Sequence, residues 1–117
     1  MRSLLAVLLL LFGVFAQADS PDVGEGRRID YLIASIEGLQ GAEFVRNGTA
    51  YSAAAAADHL RLKRKNAGSR VATAEDFIRL CASAYLLSGT PYQIRFADGR
   101  AVTSEAYLRA RLLEFGP

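Results

Sequence analysis

The chain is poor in the residues around which small catalytic or metal-stabilised domains are usually built: one cysteine, one histidine, one methionine and no tryptophan in 117 residues. With Cys81 alone, no intramolecular disulfide forms, which excludes a disulfide-stapled scaffold. The single His59 has only Asp58 beside it, a sharp rotation away on the same helix, so no set of three or four metal ligands is expected and no cofactor is called for. There is no glycine-rich phosphate loop, no paired-cysteine motif and no serine elbow. Nor is there a large excess of either charge: 14 basic residues stand against 12 acidic ones, giving +2. That balance is weak support for a polyanionic partner.

A membrane-spanning run is also missing. The one long apolar stretch, Leu4 to Phe15, has about 12 residues where a bilayer-crossing helix needs about 20. It follows Arg2 and precedes Ala16, Gln17 and Ala18, the order of charged, apolar and small segments of a removable export signal. Residues 1–18 are therefore expected to be cleaved, and Asp19, not a lipid-bearing cysteine, becomes the first residue. Loss of Arg2 lowers the charge from +2 to +1. An export signal without a disulfide framework points to a bacterial periplasm, so the sequon at Asn47 to Thr49 reads as a turn and not as a glycosylation site.

Residues 19–26 carry Pro21, Gly24 and Gly26 with no apolar period and are expected to be a flexible lead-in. One domain is expected over 27–117, long enough to fold on its own core. Ile29, Leu32, Ile33, Ile36 and Leu39 recur at helical spacing, with a stop near Gly38 to Gly41. Phe44 to Arg46 and Thr49 to Tyr51 flank Asn47 and Gly48, a hairpin signal because both turn residues tolerate positive φ. Ser52 caps a second helix that runs through the alanines to about Asn66, with Gly68 as its C-terminal cap. Thr73 opens a third, with Glu75 and Asp76 in its first turn and Phe77, Ile78, Cys81, Ala84 and Tyr85 as its buried stripe until Ser88 to Pro91 breaks it. Tyr92 to Phe96 and Arg100 to Val102 form a second hairpin around Asp98 and Gly99. Thr103 or Ser104 starts a last helix with Leu108, Leu112 and Phe115 inward. The order helix, hairpin, helix, helix, hairpin, helix predicts a small α+β domain with helices packed on short antiparallel strands.

Four ordered segments, FVRNG at 44–48, HLRLK at 59–63, AEDFI at 74–78 and SGTPY at 88–92, resemble the YfeK-type family of small exported proteobacterial proteins with a domain of unknown function. The resemblance covers essentially the whole mature chain. It implies an envelope location and a single domain, and carries no activity with it.

The site candidates each have a plain structural reading beside the functional one. His59 falls between Leu62 and the Ala56/Leu60 side of its helix, so it points toward the protein; it is a hydrogen-bonded core residue, or a general base. Cys81 with His59 has the makings of a thiol nucleophile and base, but apolar neighbours make a thiol inert. Arg61, Lys63, Arg64, Lys65 and Arg70 place five cations within ten residues with no acid among them, either a solvated helix end or an anion-binding patch. Arg46 and Asn47 on a hairpin tip, and the loop ending at Tyr92, are turn chemistry or the borders of one groove. These residues favour a non-enzymatic binding or interaction domain for an envelope protein or an anionic glycan or lipid. The alternative is a small hydrolase or accessory enzyme using His59. A purely structural role is a third reading, and nucleic acid is disfavoured by compartment. Protein recovered from the periplasm is expected to begin at Asp19, which N-terminal sequencing checks; Met1 retained on cytosolic material would overturn the export reading.

Overall fold

A computed structural model of the protein describes residues 21–116; the expected signal segment 1–18, the first two residues of the expected lead-in and Pro117 lie outside the described residues. Helix α1 spans Pro21–Glu37, strands β1 and β2 span Glu43–Arg46 and Thr49–Tyr51, and α2 spans Ala53–Ala67. A short 3₁₀ turn, Gly68–Arg70, leads to α3 at Ala74–Cys81. Strands β3, Gln93–Arg95, and β4, Ala101–Thr103, precede α4 at Ser104–Phe115.

The lead-in reading of 19–26 is corrected from Pro21 onward, where the chain is already helical. Two glycines suggested a break, but a tertiary tie overrides their low helix propensity. The Glu25 carboxylate accepts the Ala74 backbone N–H at 2.8 Å and pairs with Arg28 at 3.3 Å. Glu25, in the second turn of α1, thereby serves a donor that opens α3, one of the amides a helix start leaves without a partner.

The expected face of α1 is the centre of the core. Ile29, Leu32, Ile33 and Ile36 are all 3% exposed or less. They pack with Ala57 and Leu60 of α2, Phe77, Ile78 and Cys81 of α3, and Leu108 of α4. Caps act as the sequence predicts: Ser52 accepts from Ala55 N–H, Thr103 from Ala106 N–H, and Thr73 with Asp76 forms a reciprocal capping box.

The two hairpins form one antiparallel sheet of order β2-β1-β3-β4. Phe44 pairs with Tyr51 on one side and Ile94 on the other, and Ile94 pairs with Val102. Because alternate residues share a face, this row of four lies on the helix-covered side, while Glu43, Gln93 and Arg95 are exposed. The first turn has the expected form, with φ of 49° at Asn47 and 81° at Gly48. The second is different: only Gly99 takes positive φ, and Asp98 instead accepts the Arg100 N–H at 2.9 Å, closing a longer loop.

Helix α3 stops at Cys81, so Ala84 and Tyr85 are not its continuation. Ser83 Oγ donates to the Ile78 carbonyl at 2.6 Å, and the chain then runs extended, with Ala84 bridging to Pro91 and Tyr92 N–H donating to the Ser83 carbonyl at 3.0 Å. Residues 83–92 are thus a closed excursion that returns to the sheet. Phe115, expected to face inward on α4, is 40% exposed and rests against Tyr31 at a ring separation of 4.9 Å.

Phe77 is fully buried at the meeting of the helices. Phe77→Ala is expected to cost about 3–5 kcal/mol, because the cavity it leaves adds to the lost transfer energy. Urea unfolding of the variant checks this, and a loss below about 1 kcal/mol would place the packing centre elsewhere.

Candidate functional site

Strand alternation decides where Arg46 goes. It lies two residues beyond Phe44, and so its side chain enters on the inner face of the sheet and not at the solvent side of the hairpin tip. Helix α2 crosses that face, but its first turns are alanines, and small side chains leave space against the strands. The result is a cavity of about 270 Å³ between β1–β2 and α2. Ile36, Phe44, Ala56 and Leu60 make it largely apolar. Arg46, Tyr51, His59 and Tyr92 form its polar side, and no carboxylate lines it.

Two nitrogens at this cavity are buried without a hydrogen-bond partner among the described residues: Arg46 Nε and His59 Nε2. Buried polar atoms are nearly always bonded, so this is the opposite of the hydrogen-bonded core histidine that helix position suggested. The remaining groups are anchored. Arg46 Nη1 donates to Tyr51 Oη at 3.4 Å, and its guanidinium carbon lies 5.1 Å from the Tyr85 ring centre. Lys63 Nζ donates to Tyr92 Oη at 2.8 Å and lies 5.1 Å from that ring's centre. Burial pushes the His59 imidazole below its ordinary value of 6.5, and the positive charges of Arg46 and Lys63 push it in the same direction.

Arg46, His59, Lys63 and Tyr92 therefore meet at one place, although they are spread over 47 residues of sequence. Asn47 does not line it; it is exposed on the hairpin turn, where Ser88 Oγ donates to Asn47 Oδ1 at 3.4 Å and holds the 83–92 excursion against the hairpin. The other three expected residues lie elsewhere. Arg61 is paired with Glu37 at 2.6 Å and Asp58 at 3.1 Å, and Arg64 with Asp30 at 2.7 Å. Lys65 is exposed on the same helix and does not line the cavity. The run of cations in sequence is thus not one acid-free surface in space, because acids of α1 answer two of its members.

Tyr51, Tyr85 and Ser104 belong to the surroundings of the cavity and were not singled out by sequence. Tyr51 was legible in principle, since the hairpin register that pairs it with Phe44 puts both on the inner face. Tyr85 was not, because its position depends on where α3 ends. Cys81 is buried and does not line the cavity, and burial pushes its thiol up, so it is held as an unreactive core group. The described residues contain no group of three or more His, Cys, Asp or Glu side chains able to hold a metal ion.

The architecture so far is that of a small α+β domain in which a four-stranded antiparallel sheet and a helix enclose a cationic, acid-free cavity. The chain belongs to the DUF5329 family, a family of unknown function whose pattern matches residues 24–116. It is similar to the protein named "Uncharacterized protein YfeK" of Salmonella typhimurium, with 38% identity over 87 residues, covering 74% of this chain and 72% of that protein. No solved structure matches the chain.

The imidazole makes a pH prediction. Its folded value is depressed, so the unfolded chain takes up a proton first, and the stability this group contributes is present above about pH 6.5 and lost as pH falls below it. Urea midpoints are expected to fall between about pH 7 and pH 5, and less steeply in His59→Gln. An unchanged slope in the variant would assign the titration to another group.

Proposed function

We propose that the chain is an exported protein, cleaved after about Ala18, that works in the periplasm as a non-enzymatic binding domain for an anionic component of the envelope. The reading rests on one observation: Arg46 Nε and His59 Nε2 are both buried and unpartnered, and both belong to side chains that line one acid-free cavity. Leaving a buried donor unpaired costs about 1–3 kcal/mol, and an anion in the cavity recovers it. The site is this cavity and not the Arg61 to Arg70 face, where ion pairs with Glu37 and Asp30 already occupy two of the cations. No described helix is long and apolar enough to cross a membrane.

A hydrolytic role for His59 has less support. A general base needs a hydroxyl, thiol or carboxylate within hydrogen-bond reach, and an imidazole working as base is usually oriented by a further group. Among the described residues His59 has no such hydrogen bond, and the one thiol is enclosed in the core.

Because His59 is the sole histidine, its imidazole resonances report on the cavity alone. Titration with sodium acetate and with inorganic phosphate is expected to shift them saturably. Arg46→Met is expected to weaken the effect by about tenfold, the worth of a hydrogen bond to a charged group. Arg61→Gln with Arg64→Gln is expected to leave it unchanged. Loss of the shift in the surface double variant, with Arg46→Met unaffected, would move the site to the helix surface.

A further inference from the structure

The cavity also carries information on the kind of anion it takes. We infer that its ligand is a small monocarboxylate with a compact apolar body, its carboxylate received by the Arg46 guanidinium and the His59 imidazole; this rests on the cavity being an anion site.

Charge is the first argument. The groups that face His59 are Arg46 from β1, Tyr51 from β2, Tyr92 from the segment before β3, and Lys63 from its own helix, while α1 contributes only Ile36. Of these, Arg46 is the one permanent charge in the cavity lining, because the Lys63 ammonium lies outside it and donates to Tyr92 Oη. His59 is held toward its neutral form, in which the tautomer protonated at Nε2 still donates. One lining cation and one neutral imidazole match a single negative charge. A phosphate dianion would leave charge unpaired among Ile36, Phe44 and Leu60, and burying unpaired charge is costly.

Geometry and size agree. The lining brings together two side chains with an unpartnered nitrogen, Arg46 and His59, matched in number to the two oxygens of a carboxylate. The remaining wall is largely apolar, so the rest of the ligand is too. At about 270 Å³ the space is below the roughly 300–1,000 Å³ of sites for drug-sized molecules, enough for a ring or a short branched chain but not for a polymer strand. Such a carboxylate occurs in free organic acids and at the C-terminus of a peptide with an apolar last residue.

The test uses the full mature chain and the His59 resonances, with cyclohexanecarboxylate, its uncharged amide and cyclohexyl phosphate as probes. The carboxylate is expected to bind saturably, with the amide and the phosphate each weaker by about tenfold or more. Arg46→Met is expected to weaken the carboxylate by a similar factor. Ala55→Phe, at an exposed position on the cavity wall, narrows the space without removing a charge and is expected to block binding in a chain that still folds. N-acetyl-leucine and a leucine-terminated tripeptide separate the sources: tighter binding of the tripeptide assigns a peptide end, and equal binding assigns a free acid. If cyclohexyl phosphate binds as tightly as the carboxylate, the ligand class is wrong while the anion site stands. If no anion shifts His59, both fall.

Discussion

Burial of the Ile29, Leu32, Ile33 and Ile36 face of α1 holds the domain together, since residues of all three other helices and of the sheet join the same core cluster. Two polar attachments then orient the partners around it. Glu25 reaches the first amide of α3, and Asp30 and Glu37 take Arg64 and Arg61 of α2. The latter pairs are solvent-exposed, and such pairs contribute at most about 1 kcal/mol each. They set direction more than stability. Helix α2 is drawn onto α1 by Ala57 and Leu60, and the alanines it turns toward β1–β2 are too small to fill the gap. The cavity is thus a by-product of how α2 is held, kept open on one side by its own short side chains.

Much of this frame is legible in the sequence because it depends on local chemistry. Ser52, Thr73 and Thr103 cap because a hydroxyl there meets a first-turn amide, and Asn47 with Gly48 turns because both tolerate positive φ. What was not legible depends on distant partners. The helical state of residues 21–26 rests on the contact of Glu25 with Ala74, 49 positions away. The end of α3 is set by Ser83 turning back on Ile78 and by the pairing of Ala84 with Pro91, which a periodic apolar pattern through Tyr85 conceals.

The candidate site divides in the same way. His59 is correctly placed toward the protein by helix geometry, but its lack of a partner is a property of the assembled cavity. The cations of α2 read as one patch because sequence lists them together. In space a helix distributes neighbours over its whole circumference, so Lys63 goes to Tyr92 while Arg61 and Arg64 meet acids of α1. Charge density along a chain is therefore a poor guide to charge density on a surface when an acidic helix lies alongside.

The sheet has a property of its own. Its outermost strands, β2 and β4, are three residues each, and both run directly into the caps of helices. An open border so brief gives an incoming extended segment few main-chain hydrogen bonds to complete. Stacking of one copy's border on another's, the usual first step toward fibrils, is disfavoured by the way each hairpin ends.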